Sequence, residues 1–200
     1  TMEASNEDVE QLSQAYINEK CAPMILPYDE EKVDLMMKLI RSQEEHVSND
    51  LTADDQIRPY YELELERLRW LVRAYLRVRL HKINTHAMAI LDKPELVARL
   101  SDAEYKYAKG YVNLIDAHVT SQMTARLEQG DDSLRNLSND EAHKLTPKPN
   151  ESTHVFCRVA EDVGRVDIGL DNIDLYKGDV CVLRYDVAEP LVVDERIVLI

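Results

Sequence analysis

Apolar residues recur with a helical period through roughly the first two thirds of the chain. This pattern predicts four helices, over about Asn6 to Lys20, Glu30 to Val47, Tyr60 to Leu91 and Ser101 to Glu128. Pro23 ends the first helix, and Pro59 suits the first turn of the long third one. Ser101 and Glu104 form a capping-box signature at the start of the fourth. On the second helix the predicted apolar side consists of Val33, Met36, Met37 and Ile40.

After residue 152 the period changes from that of a helix to that of a strand. Val155, Cys157 and Val159 alternate with Phe156 and Arg158, which predicts a half-buried strand. A turn at Lys177-Gly178-Asp179 precedes a strand predicted over Val180 to Val187, and Arg196 to Ile200 is predicted as the last strand. The predicted fold class is therefore α+β, with a mainly α-helical N-terminal domain, a long central helix and a small β-rich C-terminal domain.

The change of pattern also predicts the domain organisation. Asp, Asn, Ser and Pro crowd residues 130–152, which is typical of a linker. We therefore expect a helical domain over residues 1–129, a linker over 130–152 and a small β-rich domain over 153–200.

The long helix is apolar on two sides when its residues are placed at about 100° intervals. The first face holds Tyr61, Leu65, Leu68, Val72, Tyr75, Leu76, Ile83 and Ile90, and the opposite side holds Leu63, Trp70, Leu71, Ala74 and Val78. A helix with two apolar sides is expected to pack within its own domain and also against another chain.

The polar band of this helix leaves two interpretations open. Arg69, Arg73 and Arg77 could form a nucleic-acid-binding stripe, the alternative function, or a solvated band with ion pairs such as Glu66–Arg69. The second is favoured because the band carries both signs of charge. Arg79 differs, since it lies in the middle of the first apolar face. We expect it to be a structural buried charge beside a carboxylate or backbone carbonyls.

Composition and motifs favour a non-catalytic protein. The net charge of −14 repels the DNA backbone, so any DNA contact is expected to be indirect at most. Three widely spaced cysteines are typical of a reducing compartment, and no apolar run is long enough for a membrane span. No catalytic, cofactor-binding or metal-binding residues are expected, because His81 and His86 are wrongly spaced to share a metal and pairs such as Glu44/Glu45 are more simply charged surface.

Three segments, in this order, resemble the SLD-five family of subunits of the eukaryotic GINS replication complex. Residues 16–28 (YINEKCAPMILPY) resemble the end of its first helix and the turn that follows. Residues 62–83 (ELELERLRWLVRAYLRVRLHKI) resemble its long central helix and are the most specific of the three. Residues 178–185 (GDVCVLRY) and 196–200 (RIVLI) resemble its C-terminal β-domain.

The resemblance implies a nuclear, non-enzymatic scaffold. In that family a heterotetramer of this subunit and three sister GINS subunits joins the minichromosome-maintenance motor to form the replicative helicase, which acts in initiation and elongation of chromosomal DNA replication. No cofactor and no membrane is implied. The expected partner interface consists of Leu68, Trp70, Val72 and Leu76 on the long helix and Val198, Leu199 and Ile200 at the chain end.

Overall fold

The computed structural model describes residues 6–49, 56–119, 148–168 and 172–200, and it confirms the predicted α+β fold class. Its helices are α1 (Asn6–Cys21), α2 (Glu30–Asn49), α3 (Arg58–Asp92), α4 (Pro94–Val97), α5 (Asp102–Val119) and α6 (Tyr185–Val193). Its strands are β1 (His154–Val159), β2 (Gly164–Asp167), β3 (Asn172–Leu175), β4 (Val180–Arg184) and β5 (Ile197–Leu199).

The chain forms two compact units. One consists of residues 1–79 together with 151–200, and the other of residues 80–150. The domain boundaries expected from the sequence stay a prediction, and residues 130–147 of the expected linker lie outside the described residues.

Helices α1, α2 and the first part of α3 share one hydrophobic core in the first unit. Its buried members are Val9, Leu12, Val33, Met36, Ile40, Val47, Leu65, Leu68, Leu71, Val72 and Tyr75. Their spacing of three or four residues on each helix produces a continuous stripe, which explains why these segments fold as amphipathic helices. Glu7 and Asp8 in the first turn of α1 and Lys20 in its last turn also suit the helix dipole.

Two residues, Met37 and Leu71, do not lie on the side of the helix that the sequence predicted for them. Met37 was expected on the apolar side of α2, but its side chain is exposed, because Val33, Met36 and Ile40 already fill the stripe that faces the core. Leu71 was expected on the second side of α3, yet it is buried beside Leu68 and Val72. The core stripe of α3 is therefore wider than the predicted face.

Within the second unit, the capping box predicted at the start of α5 is confirmed. The Glu104 backbone N–H donates to Ser101 Oγ (3.2 Å), and the Ser101 N–H donates to Glu104 Oε2 (3.0 Å). Each side chain thus satisfies a backbone donor that the helix start leaves free. The end predicted for this helix, near Glu128, lies outside the described residues. Farther back, α3 has a non-helical backbone at His86 (φ −125°, ψ 21°).

The C-terminal residues form a three-stranded antiparallel sheet in the order β4-β1-β5 and a separate hairpin of β2 and β3. Val155 lies opposite Leu183, Cys157 opposite both Cys181 and Leu199, and Val159 opposite Ile197. The side chains on this face of the sheet lie against α6, whose Tyr185, Ala188 and Val192 are buried. This small sheet thus has a helix covering one face.

The strand predicted over Val180 to Val187 is wrong at its end. β4 ends at Arg184, and Tyr185 begins α6. Tyr185, Ala188 and Val192 recur at helical spacing, and Asp186 lies in the first turn, where a negative charge suits the helix dipole. This helical spacing is the sequence signal for α6. The prediction overlooked it because the segment is rich in apolar residues that are also typical of strands.

The turn predicted at Lys177-Gly178-Asp179 is confirmed, and it needs its glycine. Gly178 has φ +93°, a region that a side chain makes unfavourable. Its N–H donates to the Val159 carbonyl (2.9 Å), and the Asp179 N–H donates to the Tyr176 carbonyl (3.0 Å). These bonds direct the chain from the β2–β3 hairpin back into β4.

Candidate partner interface

The outward side of α3 exposes large apolar side chains. Leu63 and Trp70, seven residues apart and so on one side of the helix, are 71% and 58% exposed, and Tyr60 is more exposed still. Tyr16 of α1 supports the indole ring edge-on, with 5.9 Å between ring centroids. Tyr16 thus fixes the orientation of Trp70, while most of the indole surface faces solvent.

The residues expected at a partner interface on α3 fall into two groups. Leu68 and Val72 are buried in the core of their own chain, and Leu76 is partly buried against it. Trp70 is mostly exposed, so a partner can reach its side chain. Surface for a partner on this helix is therefore carried by Trp70 and its neighbour Leu63, while the partner contact itself stays a prediction.

One arginine of the band on α3, Arg69, is held by carboxylates. Arg69 donates to Glu44 of α2 (Nε–Oε1, 3.1 Å) and to Glu66, so the ion pair proposed from the i,i+3 spacing forms. Arg67 pairs with Glu64 (2.7 Å) and Arg58 with Glu62 (2.9 Å). Arg73 and Arg77 are exposed. Because Arg69 is held between two glutamates, it offers a phosphate group little free charge.

Arg79 is a fully buried charge in the unit formed by residues 1–79 and 151–200. Its Nη1 donates to Glu19 Oε2 of α1 (3.0 Å) and to the Leu26 carbonyl in the α1–α2 connection (2.8 Å). The guanidinium lies over the rings of Tyr28 (5.2 Å) and Tyr75 (5.8 Å). Arg79 thus joins three segments of the chain, and it is inaccessible to any ligand.

The last strand is held against the first helix by side-chain amides. The Leu199 N–H donates to Asn18 Oδ1 (2.8 Å), and Gln14 Nε2 donates to the Leu199 carbonyl (3.1 Å) and to Asn18 Oδ1 (3.0 Å). We call Gln14 and Asn18 the amide clamp. Cys21 Sγ donates to the Ile200 carbonyl nearby (3.7 Å).

The three chain-end residues that were expected at a partner interface differ in how far the amide clamp and the sheet bury them. Leu199 is buried within its own chain, Val198 is partly exposed and Ile200 is exposed. Sequence reasoning missed Gln14 and Asn18. Their spacing of four residues puts them on one side of α1, but nothing in the pattern shows that a strand lies there.

In the part of the chain that the structure describes, no cluster of three His, Cys, Asp or Glu side chains could hold a metal ion. Burial raises the pKa of the Cys157 thiol to about 12, and burial raises the pKa of Cys181. Both thiols are therefore protonated at neutral pH and poorly nucleophilic. None of the described helices has the length and apolar character needed to cross a membrane.

Comparison with known proteins gives the same family over both parts of the chain. A model described as the GINS complex protein helical bundle domain matches residues 28–147, and one described as the DNA replication complex GINS protein SLD5 C-terminus matches residues 149–200.

Relatives from distant eukaryotes match along nearly the whole length. The DNA replication complex GINS protein sld5 of Schizosaccharomyces pombe is 32% identical over 94% of this chain and 88% of its own. The SLD5 proteins of Arabidopsis thaliana and Homo sapiens are 30% and 28% identical, over 98% and 96% of this chain and 92% and 88% of theirs. The resemblance found in the three sequence segments is thus confirmed, and the chain belongs to the SLD5 family of GINS DNA replication complex proteins.

Proposed function

We propose that this GINS protein is a non-catalytic structural subunit of a heterotetramer with three sister GINS subunits. On this proposal it acts in the nucleus and serves assembly and activity of the replicative helicase, through the minichromosome-maintenance motor, in initiation and elongation of chromosomal DNA replication. The names of its relatives support the complex and the process.

The observation that carries the proposal is the exposed aromatic and aliphatic surface of α3. Trp70 and Leu63 lie on a helix whose other side is already buried in the core. Large apolar side chains of this kind lower the free energy of a protein when a partner covers them, and tryptophan is enriched among residues that dominate binding energy. This surface is where we expect a sister subunit to bind.

The charges support an indirect relation to DNA. The protein carries a net charge of −14, and Arg69 is paired with Glu44 and Glu66. A polyanion is therefore repelled over most of the surface, and the paired Arg69 offers it little free charge. We expect other members of the assembly to make the DNA contacts.

Co-expression tests the proposal directly. The chain is produced alone and with its three sister subunits, and the mass of each purified product is measured by light scattering. A single species with the summed mass of four different subunits is expected. A stable monomer that fails to associate with the others would contradict the proposal.

The nucleic-acid-binding alternative has its own measurement. Binding of the isolated chain to single- and double-stranded DNA is followed as salt concentration changes. Affinity that falls steeply with salt and is lost in an Arg73→Ala/Arg77→Ala variant would favour the alternative, because counterion release produces such a slope. We expect no such binding.

A further inference from the structure

The C-terminal sheet is apolar on both faces, although only one is covered by the described chain. One face packs against α6, as described above. On the other, Phe156 and Val180 are 61% and 60% exposed, and Val182 and Ile200 are also exposed. An antiparallel sheet with one solvated face normally alternates apolar inward and polar outward residues. The outward positions here instead carry apolar side chains suited to burial.

The strand register brings these side chains into adjacent rows. Phe156 of β1 lies opposite Val182 of β4, and the Ile200 N–H donates to the Phe156 carbonyl (3.1 Å) on the β5 side. These three therefore form one apolar row across the sheet. In the next row Arg158 lies between Val180 and Val198, and beyond the first row His154 lies opposite Arg184. We call this surface the outer sheet face.

The charges of the outer sheet face differ in sign from those of the protein as a whole. Its ionisable side chains are Arg158, Arg184 and His154, and no Asp or Glu occupies an outward position of the described strands β1, β4 and β5. The whole chain, in contrast, carries a net charge of −14. Arg184 is paired with Asp186, whereas Arg158 makes no ion pair with any residue that the structure describes. The Arg158 guanidinium, unpaired among the described residues, thus lies beside the exposed apolar row.

The two edge strands of the C-terminal sheet also differ in what their outer backbone groups contact. The amide clamp on Leu199 closes the outer edge of β5, and β4 forms the other edge. A strand at the edge of a sheet offers backbone hydrogen-bonding groups to an extended segment from another chain. An extended segment lying along β4 would therefore meet Val180 and Val182 first.

We infer that the outer sheet face is a docking surface for an extended, acidic and amphipathic segment of a partner protein. Its apolar side chains would cover Phe156 and Val182, and its carboxylates would pair with Arg158. This inference goes beyond the scaffold role, because it specifies the chemistry of a binding segment and a surface separate from α3. Single-stranded DNA is a weaker candidate, since Phe156 and His154 are the only rings among the outward positions of the described strands and the chain is strongly acidic.

The test measures binding of fluorescent probe peptides to the full chain by anisotropy. One probe alternates leucine with glutamate, a second alternates leucine with lysine, and a thymidine oligonucleotide is the third probe. The glutamate peptide is expected to bind, and an Arg158→Glu variant should weaken it by about tenfold, as the loss of a close charge pair does. Phe156→Ser should weaken it similarly through lost apolar contact.

Arg165→Glu is the matched control, because Arg165 is also exposed but lies on β2, outside the outer sheet face. It should leave binding unchanged, and circular dichroism verifies that each variant is folded. Equal binding of the lysine peptide, tighter binding of the oligonucleotide, or equal effects of the Arg158 and Arg165 substitutions would overturn the inference. Assembly with the sister subunits is measured separately, so each result bears on its own proposal.

Discussion

Arg79 shows how one side chain can join distant segments of the chain. Its guanidinium has no solvent exposure, and it contacts Glu19 of α1, the Leu26 carbonyl and the rings of Tyr28 and Tyr75. A charge can be buried at this depth only where such partners replace water. The sequence predicted the burial of Arg79 from its helical angle, but it did not identify Glu19 as the partner.

Replacing Arg79 with alanine should therefore be strongly destabilising. The change leaves Glu19 buried without its cation, and breaking a buried pair in this way costs about 3–5 kcal/mol. Urea unfolding followed by circular dichroism measures the loss. Arg73→Ala, an exposed position on the same helix, should change stability by less than about 0.5 kcal/mol. Equal effects of the two substitutions would show that the Arg79 cluster contributes little.

Tyr75 is expected to make the free energy of unfolding fall at alkaline pH. Burial raises the pKa of its phenol from 10.0 to about 12. Because the folded pKa exceeds the unfolded one, its contribution to stability is complete below about pH 10 and is lost as the pH rises toward 12. Tyr75→Phe should make the free energy of unfolding fall less steeply in this range, by up to about 1.4 kcal/mol per pH unit.

Urea unfolding of both proteins across that pH range measures the difference in slope. Tyr60→Phe is the control, because Tyr60 lies on the same helix with its ring exposed. Parallel curves for Tyr75→Phe and the unsubstituted protein would contradict the prediction.

At the scale of elements, the amide clamp takes the place of a further strand beside β5, because its side chains bond the backbone groups that such a strand would bond. The Leu199 N–H and carbonyl point away from β1, and Asn18 and Gln14 satisfy both. An edge strand with unsatisfied backbone groups is a site for unwanted pairing, so the clamp also protects the chain end. Lys32 of α2 adds a link to the segment just before β5 through its ion pair with Glu195 (3.1 Å), and it also pairs with the nearby Asp29 (2.6 Å).

An Asn18→Ala/Gln14→Ala variant should release β5 from α1. Each lost hydrogen bond costs about 0.5–1.5 kcal/mol, so we expect hydrogen exchange at the Leu199 amide to accelerate by about tenfold or more. Mass spectrometry or NMR measures the exchange, and Glu10→Ala on an exposed position of α1 serves as the control. Unchanged exchange at Leu199 would show that the clamp is not what protects it.

Helix α6 illustrates where local pattern and element type diverge. Val180 to Val187 contains enough branched apolar residues to predict one continuous strand, but the chain turns into a helix at Tyr185. Short apolar segments have weak periodicity, and packing decides between the two structures. Here Tyr185, Ala188 and Val192 are buried against the sheet that the same segment helps to form.

At the scale of the whole molecule, apolar surface and charge are distributed for assembly. The protein is acidic overall, yet it exposes Trp70 and Leu63 on α3 and an apolar, locally basic face on the C-terminal sheet. Acidic surface keeps a subunit soluble, while separate apolar areas offer places for partners. Two such areas in one small chain agree with the subunit role proposed above.

A Leu63→Ala/Trp70→Ala variant should assemble poorly while remaining folded. Both side chains are mostly exposed in the single chain, so their removal affects the core little, but a central tryptophan in an interface can contribute about 2 kcal/mol or more. The dissociation constant from the sister subunits should therefore rise roughly thirtyfold or more. Analytical ultracentrifugation of the mixed subunits measures this change.

Ile173→Ala is the control for that experiment, because Ile173 is another exposed apolar residue and lies on β3. If both variants assemble as well as the unsubstituted chain, the outward side of α3 is not an interface.

The helical and strand periods, the capping box at Ser101, the turn at Gly178 and the family were all predictable from the amino-acid sequence. These features depend on neighbouring residues, whose spacing and backbone preferences are visible along the chain. Three contacts could be seen in the folded chain alone: Glu19 pairs with Arg79, Asn18 closes β5, and Phe156 and Val182 share a face with Arg158. Those contacts join residues far apart in the chain, and their geometry depends on how whole elements pack.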